Sequence, residues 1–338
     1  MPKAKLIKYL KQAGRKELLT MLLDCDQLGI DYAVQYQQTD QKTDKINYWL
    51  KLTRDKKYFY TYNSNLGCNF NNTAATIVED KQLTKEILAK NAISVPRGLL
   101  ANSLEEIRQQ LKQKKIDYPL VIKPLTLSLG KGVYADIQDW SAVKTAYNLL
   151  RSVDPRAKDN PIIVEEFFGG RDFRILVLGG RFLACCERVH PHIIGDGKKS
   201  IKTLLRQPTA QFNSKKFKLD WEFDRCLNQQ KLTLSSIPKP QQKIFLRRNA
   251  NIATGAISIN RTQELCPAFK KIAINCAKIF NMQIAGIDLM TSDPSNPKAD
   301  YRIIEINSLP DFFIHDDYTI GQSDQITRRL LKELFNLK

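Results

Sequence analysis

The chain has 338 residues, 43% of them hydrophobic and 26% charged, and this composition excludes collagen-like, disordered and low-complexity proteins. Lys and Arg number 53 against 35 Asp and Glu, and the net charge of +18 indicates either an anionic partner or a strongly solvated surface. The seven cysteines form no C-x-x-C pair. The sequence also lacks an apolar run of about 18 residues, so we expect a reduced, cytoplasmic protein that is neither exported nor inserted in a membrane.

The first part of the chain predicts a small α/β lobe. Residues 18–23 have the apolar spacing of a helix, and residues 45–52 alternate polar and apolar side chains as a strand does. The helix and strand signals sharpen from Asp80 onward. We therefore predict an N-terminal lobe at residues 1–76 and a catalytic domain at residues 77–338.

The catalytic domain begins with alternating helices and strands. Residues 84–90 predict a helix, and Ser103 with Glu106 forms the capping box of a second helix. Short apolar strands follow at 118–124 and 161–165.

A hairpin with a Gly-Gly turn is predicted at residues 173–188, and a helix that begins with Pro267 follows. Two strands at 284–290 and 301–306 and a closing helix from about Ser323 complete the predicted elements. The alternation predicts an α/β or α+β enzyme with mixed sheets.

A glycine-containing loop follows the strand that ends near Lys123. Gly130, Lys131 and Gly132 would let backbone N–H groups approach a phosphate, to which Lys123 offers a positive charge. A hairpin tip beside a lysine with a buried stem is the structural alternative, since such short motifs often occur by chance.

A second cluster surrounds the end of the 161–165 strand. Glu165 and Asp172 carry carboxylates that would accept hydrogen bonds from an adenine amino group and from ribose hydroxyls. Glu166 and Phe167 lie between them, where an apolar side chain would pack on the base. An acidic strand end and a solvated turn are the alternative interpretation.

Two successive strands carry oxygen ligands of the type that Mg²⁺ prefers. Glu305 and Asn307 are two residues apart and share a face of their strand, and Asp288 on a neighbouring strand would join them. Because isolated acids are costly to bury, a metal site and a salt-bridged core acid are both consistent with this pattern.

A donor-rich segment at residues 247–255 begins with Arg247 and Arg248, a pair suited to phosphate or carboxylate contacts. A solvated basic turn is the alternative. His190 and His192 lack a third candidate ligand nearby in the sequence, so we interpret them as surface or loop histidines rather than a metal pair.

In chain order, these pieces resemble the ATP-grasp ligases, above all the ATP-grasp portion of the cyanophycin synthetases and next the glutathione synthetase domain of bifunctional glutathione enzymes. The resembling segments follow one another as in that family, at residues 80–98, 121–133, 165–181, 194–197 and 248–255. The resemblance implies an ATP-grasp fold of α+β or α/β class, with two α+β lobes clasping ATP. Its nucleotide-clasping small lobe would span about residues 115–170.

The resemblance also implies roles for single residues. The nucleotide site would comprise two lysines, a phosphate loop and the cluster at the strand end, namely Lys81, Lys123, Gly130, Lys131, Gly132, Glu165, Glu166, Phe167 and Asp172. The metal ligands would be Asp288, Glu305 and Asn307. Catalytic cations would be Lys123, Arg174 and Arg248.

The implied reaction joins a carboxylate to an amine. ATP phosphorylates the carboxylate, the amine attacks the acyl phosphate, and ADP and phosphate leave, with Mg²⁺ or Mn²⁺ as the metal. The substrate would be a small molecule, an amino acid or a peptide. Residues 196–248 hold 13 Lys or Arg against 4 Asp or Glu, which favours an anionic substrate but also fits a solvated lysine-rich surface. Relatives often form dimers or tetramers, so a homo-oligomer stays open.

The sequence departs from the family at Leu127 and Ser128 in the phosphate loop and at Phe313, where the family has an arginine. Because the sequence ends soon after the metal segment, we expect it to lack the Mur-ligase-like domain of cyanophycin synthetases and not to make cyanophycin alone. Two other classes are alternatives, a non-catalytic ATP-grasp binding protein and a basic nucleic-acid-binding protein. Against the latter, no DNA or RNA module is present and the aromatic residues do not interleave with the basic ones.

Overall fold

The computed structural model describes residues 2–40, 45–71, 73–125, 132–153, 160–207, 212–214 and 217–337. Four positions singled out in the sequence lie outside these ranges, namely Leu127, Ser128, Gly130 and Lys131.

The N-terminal lobe packs two helices against one face of an antiparallel sheet of order β1-β2-β3. Its elements are α1 (Lys3–Gln12), α2 (Lys16–Gln27), β1 (Asp31–Thr39), β2 (Ile46–Arg54) and β3 (Lys57–Tyr62). The closing helix α9 (Ile326–Phe335) belongs to the same core, where Phe335 meets Phe59 edge-on. The side chain of Asp316 accepts hydrogen bonds from the N–H groups of Ile326 and Thr327, so the helix begins three residues later than predicted.

The other face of this sheet carries exposed aromatic side chains. Trp49 packs between Tyr36 and Tyr62, and the Lys51 ammonium lies 4.5 Å from the centre of the Tyr58 ring. On this face aromatic and basic residues lie together. Strand pairing brings together residues that the linear sequence separates.

The small lobe is an antiparallel sheet of order β4-β7-β5-β6 covered by two helices. Its elements are β4 (Gly98–Ala101), α4 (Leu104–Lys114), β5 (Leu120–Pro124), β6 (Tyr134–Ile137), α5 (Trp140–Val153) and β7 (Ile162–Glu166). Ser103 caps α4 by accepting from the Glu106 N–H at 3.1 Å, as predicted. β4 pairs with β7, so residues 98–101 form an edge strand of this sheet.

The large lobe is a five-stranded sheet of order β12-β9-β8-β13-β14, on which helices α3 and α8 pack. Its elements are α3 (Lys81–Lys90), β8 (Arg171–Leu178), β9 (Arg181–Val189), β12 (Ile257–Asn260), α8 (Pro267–Ile279), β13 (Ile284–Thr291) and β14 (Tyr301–Asn307). The predicted hairpin is β8-β9. Its turn residues Gly179 and Gly180 have φ of +54° and +69°, which a two-residue hairpin of this kind requires.

A smaller unit flanks the large sheet. It consists of the antiparallel pair β10 (His192–Ile194) and β11 (Lys243–Phe245) with α6 (Ile201–Leu204) and α7 (Trp221–Gln229) around an apolar core.

The prediction of mixed sheets was wrong for the described strands. Every ladder between named strands is antiparallel. Alternating helices and strands along a chain do not require parallel pairing, because a strand can also pair antiparallel with its neighbour in the sheet.

Candidate active site

A cleft lies between the small-lobe sheet and the large sheet. It brings together most of the site residues singled out in the sequence, which line it as Lys81, Lys123, Glu165, Glu166, Phe167, Asp172, Arg248, Asp288 and Glu305. These residues come from both lobes, and in the sequence they are separated by as many as 224 positions.

Among the predicted site residues that the structure describes, three stand outside the lining. Arg174 lies behind Asp288 and contacts its carboxylate, and Asn307 lies two pairs further along β13 and β14 than the Asp288–Glu305 pair. Gly132 has a φ of +70° and packs near Pro124 at the end of β5.

The small-lobe side of the cleft holds a buried carboxylate between two ammonium groups. Glu165 is 2% exposed, and its Oε1 accepts from Lys123 Nζ while its Oε2 accepts from Lys85 Nζ at 2.8 Å. Burial alone would raise the pKa of Glu165, but the charges of Lys123 and Lys85 outweigh it and hold that pKa below its ordinary value. Both carboxylate oxygens of Glu165 therefore accept hydrogen bonds from lysines in this structure. This arrangement differs from one in which Glu165 accepts a hydrogen bond directly from an adenine amino group.

The neighbouring Glu166 is held by arginines. Arg97 Nε donates to its Oε2 at 2.9 Å, and Arg302 Nε on β14 lies 3.4 Å from its Oε1. The second contact links the end of β7 to the large lobe. Phe167 follows directly and presents its ring to the cleft, with Val121 among the apolar lining residues.

The large-lobe side contains a buried network of two acids and two arginines. Arg174 and Arg188 both donate to Asp288, Arg188 at 3.0 Å, and Arg188 Nε also donates to Asp172 at 2.9 Å. Burial would raise the pKa of Asp288, yet the two guanidinium charges lower it. Asp172 has one of these partners, and burial dominates to raise its pKa.

The candidate metal ligands occupy adjacent antiparallel strands. Asp288 on β13 lies directly opposite Glu305 on β14, and Asn307 follows on the same face as Glu305. The Nδ2 atom of Asn307 is buried without a hydrogen-bond partner, and a Glu305 oxygen lies 3.7 Å from Lys81 Nζ. Within the described residues no cluster of three His, Cys, Asp or Glu side chains could hold a metal. The set here is two carboxylates and an amide, a donor chemistry that fits Mg²⁺ or Mn²⁺.

Arg248 reaches the cleft from the donor-rich segment. Its Nε lies 3.1 Å from an Asp136 oxygen but makes no hydrogen bond, and its guanidinium stacks 4.6 Å from the centre of the Phe245 ring. Arg247 instead turns away and donates to Asp220 at 2.6 Å. Of the two arginines predicted together, Arg248 thus lines the cleft and Arg247 does not.

Sequence reasoning missed three residues at the site, Lys85, Arg188 and His190. Of the two histidines interpreted as surface or loop residues, His190 does lie in the loop between β9 and β10, where it lines the cleft, whereas His192 is buried in β10. Burial and the nearby Arg248 charge lower the pKa of His190 to about 4. Only the pairing of distant segments reveals these positions, although the adjacent hairpin signal did place Arg188 at a strand end.

Comparison with known proteins agrees with this architecture. Residues 78–193 match the RimK-like ATP-grasp domain. A cyanophycin synthetase of Trichormus variabilis is 35% identical over 266 residues, which cover 76% of this chain and 29% of that protein. The glutathione biosynthesis bifunctional protein GshAB of Clostridium perfringens is 28% identical over 326 residues, which cover 94% of this chain and 40% of that protein.

A solved structure extends the likeness to nearly the whole chain. The bifunctional glutathione synthetase from Pasteurella multocida superposes with a TM-score of 0.61 and 26% identity, covering 95% of this chain and 43% of that one. The chain therefore spans less than half the length of these relatives. None of the helices in the described part of the chain has the length and apolar character needed to cross a membrane. The chain has the ATP-grasp fold, with a RimK-like ATP-grasp domain at residues 78–193, and it resembles the ATP-grasp ligases.

Proposed function

We propose that the chain is an ATP-dependent carboxylate–amine ligase that forms an amide or peptide bond and releases ADP and phosphate. The observation that carries the proposal is the convergence of Lys81, Lys123 and Arg248 with the facing acids Asp288 and Glu305 in one interlobe cleft. Such a set suits a reaction in which two anions must be held together while a phosphoryl group moves between them.

In this proposal the cleft binds ATP with its phosphates toward the cations. Lys81 and Lys123 contact phosphate oxygens, the ring of Phe167 packs on the base at the end of β7 beside Glu165 and Glu166, and Asp172 accepts from the ribose. The segment containing Gly130, Lys131 and Gly132 would cover the phosphates through backbone N–H groups.

Asp288, Glu305 and Asn307 would hold Mg²⁺, or Mn²⁺ in its place. When bound, the metal would neutralise charge on the phosphate oxygens. Because Arg174 and Arg188 already engage Asp288, these arginines keep the carboxylate oriented and charged in the absence of metal.

The reaction balances without a protein nucleophile. A substrate carboxylate oxygen attacks the γ-phosphorus of ATP, the bond to ADP breaks, and an acyl phosphate forms. An amine nitrogen then attacks the carbonyl carbon, phosphate leaves, and the amine loses a proton. Lys123, Arg174 and Arg248 contribute fixed positive charge around the phosphoryl group, either at the cleft or just behind Asp288.

An amino acid or an acidic peptide is the substrate class we favour. The basic segment 196–248 includes α6, α7 and β11 of the smaller unit, and its last residue, Arg248, lines the cleft. An anionic substrate would gain from this charge, and its binding would weaken as salt is added.

The proposal is tested by ATP-dependent phosphate release across a panel of amino acids and of acidic and basic peptides, with product masses recorded. We expect release that requires both a carboxylate and an amine, with a product mass equal to their sum less water. Glu305→Gln should reduce the rate at least about 100-fold, because a preorganised group at the transferred phosphate is typically worth this much. Nucleotide binding without release on any pair would favour a non-catalytic binding protein instead.

A further inference from the structure

The ion pair between Lys85 and Glu165 joins the two lobes at the floor of the cleft. Lys85 lies one turn after Lys81 on α3, and the neighbouring Leu88 packs into the large-lobe core. Glu165 lies on β7 of the small-lobe sheet. Both side chains are at most 6% exposed, and the Nζ–Oε2 distance is 2.8 Å.

The buried charges at this point do not cancel. Among the residues that the structure describes, Glu165 is the only carboxylate within ion-pair range of either Lys85 or Lys123. Two ammonium groups thus share one carboxylate, and the group carries a net charge of +1 on the wall of the cleft.

Lys85 decides how strongly Glu165 neutralises Lys123. With Lys85 present, each carboxylate oxygen accepts from a different lysine. Without it, Glu165 and Lys123 would form a closed neutral pair, and an incoming phosphate would have to compete with the carboxylate for the Lys123 ammonium.

We propose that Lys85 is a positioning residue that acts through Glu165 to keep Lys123 available to the phosphates of a bound nucleotide. The inference rests on the proposed function, since it assumes that ATP occupies the cleft. Lys85 itself is not among the residues that line the cleft.

If Lys85 had a purely structural role, replacing it would lower the stability of the fold and leave the ATP affinity unchanged. Burial lowers the pKa of the Lys85 ammonium despite the attraction of Glu165, and Lys123 lowers it further. Burial therefore disfavours the charge at this site, and Glu165 keeps Lys123 as a cationic partner when Lys85 is replaced, so Lys85→Met should remain folded.

The test measures ATP affinity by calorimetry with MgCl₂ present, together with thermal unfolding without nucleotide. We expect Lys85→Met to weaken ATP binding about tenfold while the nucleotide-free protein stays folded at the assay temperature. Adding Glu165→Gln to Lys85→Met removes the competing carboxylate and should restore the affinity to within about threefold of the original. Lys90→Met, an exposed lysine on the same helix, should change neither quantity.

Three results would overturn the inference. They are an unchanged affinity in Lys85→Met, a double variant that binds no better than the single one, and a Lys85→Met protein that unfolds or fails to fold. If the original chain itself binds no ATP, the proposed function fails first and the inference falls with it, whereas binding that ignores Lys85 refutes the inference alone.

Discussion

At the scale of single residues, the buried side chain of His315 near the site links the stability of the fold to pH. The side chain is fully buried, its Nδ1 lies 3.0 Å from Tyr318 Oη, and its Nε2 has no hydrogen-bond partner. Tyr318 Oη in turn donates to Asp324 at 2.6 Å. Burial, with added repulsion from Arg174 and Arg188, lowers the pKa of His315 to about 3.

This lowered pKa predicts a loss of stability on the acid side. Because the unfolded histidine has a pKa near 6.5, the unfolded state binds more protons than the folded state between pH 6.5 and about 3. Above pH 6.5 the histidine is neutral in both states and the full stability is present. Each pH unit below 6.5 lowers the free energy of unfolding by about 1.4 kcal/mol. Relative to His315→Gln, the original chain should lose about 2 kcal/mol of unfolding free energy between pH 6.5 and pH 5. Parallel urea-unfolding profiles for the two proteins at these pH values would contradict this assignment.

The sequence supports the cleft residues unequally, for a physical reason. That Glu305 and Asn307 share one face of β14 was predictable, because strand periodicity is local and places alternate residues on one face. Lys85 and Arg188 were not, because their partners Glu165 and Asp288 lie 80 and 100 positions away. A buried charge is recognisable only once its partner is known.

At the scale of elements, the edge strand β4 meets β7 so closely that one position requires glycine. A Cβ added at Gly98 would lie 2.9 Å from Glu165 Cβ and 2.9 Å from the Val164 carbonyl oxygen. Neither a strand backbone nor a buried carboxylate stem can move away cheaply. Glycine here secures close strand packing rather than a special backbone angle.

We therefore expect Gly98→Ala to destabilise the protein by about 1–3 kcal/mol, the usual cost of overpacking a buried contact. Gly169→Ala is the matched control, because its added Cβ would meet no heavy atom within 4 Å. Urea unfolding of both variants measures the difference. Equal stabilities would show that β4 separates from β7 without penalty.

Elements with local signals were predictable, and those fixed by packing were not. The Gly179-Gly180 turn, the Ser103 cap and Pro267 at the first turn of α8 each satisfy a requirement of neighbouring residues, and all three are confirmed. The order of the strands within each sheet depends on contacts across the chain. Periodicity carries no information about those contacts, so the mixed sheets predicted from alternation proved antiparallel.

At the scale of the whole molecule, the N-terminal lobe is not independent of the rest. Its core includes α9 from the other end of the chain, and Arg328 on that helix donates to Asp24 on α2 at 3.3 Å. The boundary predicted after residue 76 therefore divides the sequence but not the core.

The central claim is that the interlobe cleft binds ATP together with Mg²⁺. The cations Lys81, Lys123 and Arg248 converge from α3, β5 and the segment before β12, whereas the facing acids Asp288 and Glu305 lie on β13 and β14. The bound nucleotide should then be held from both lobes, and loss of one cation should weaken binding without unfolding the protein.

Calorimetric titration of the original chain with ATP and MgCl₂ tests this claim most directly. We expect one binding site per chain and an affinity at least about tenfold weaker in Lys123→Met, with no change in Lys144→Met, an exposed lysine on α5. Absence of binding in the original chain, or binding that is indifferent to Lys123, would contradict the account.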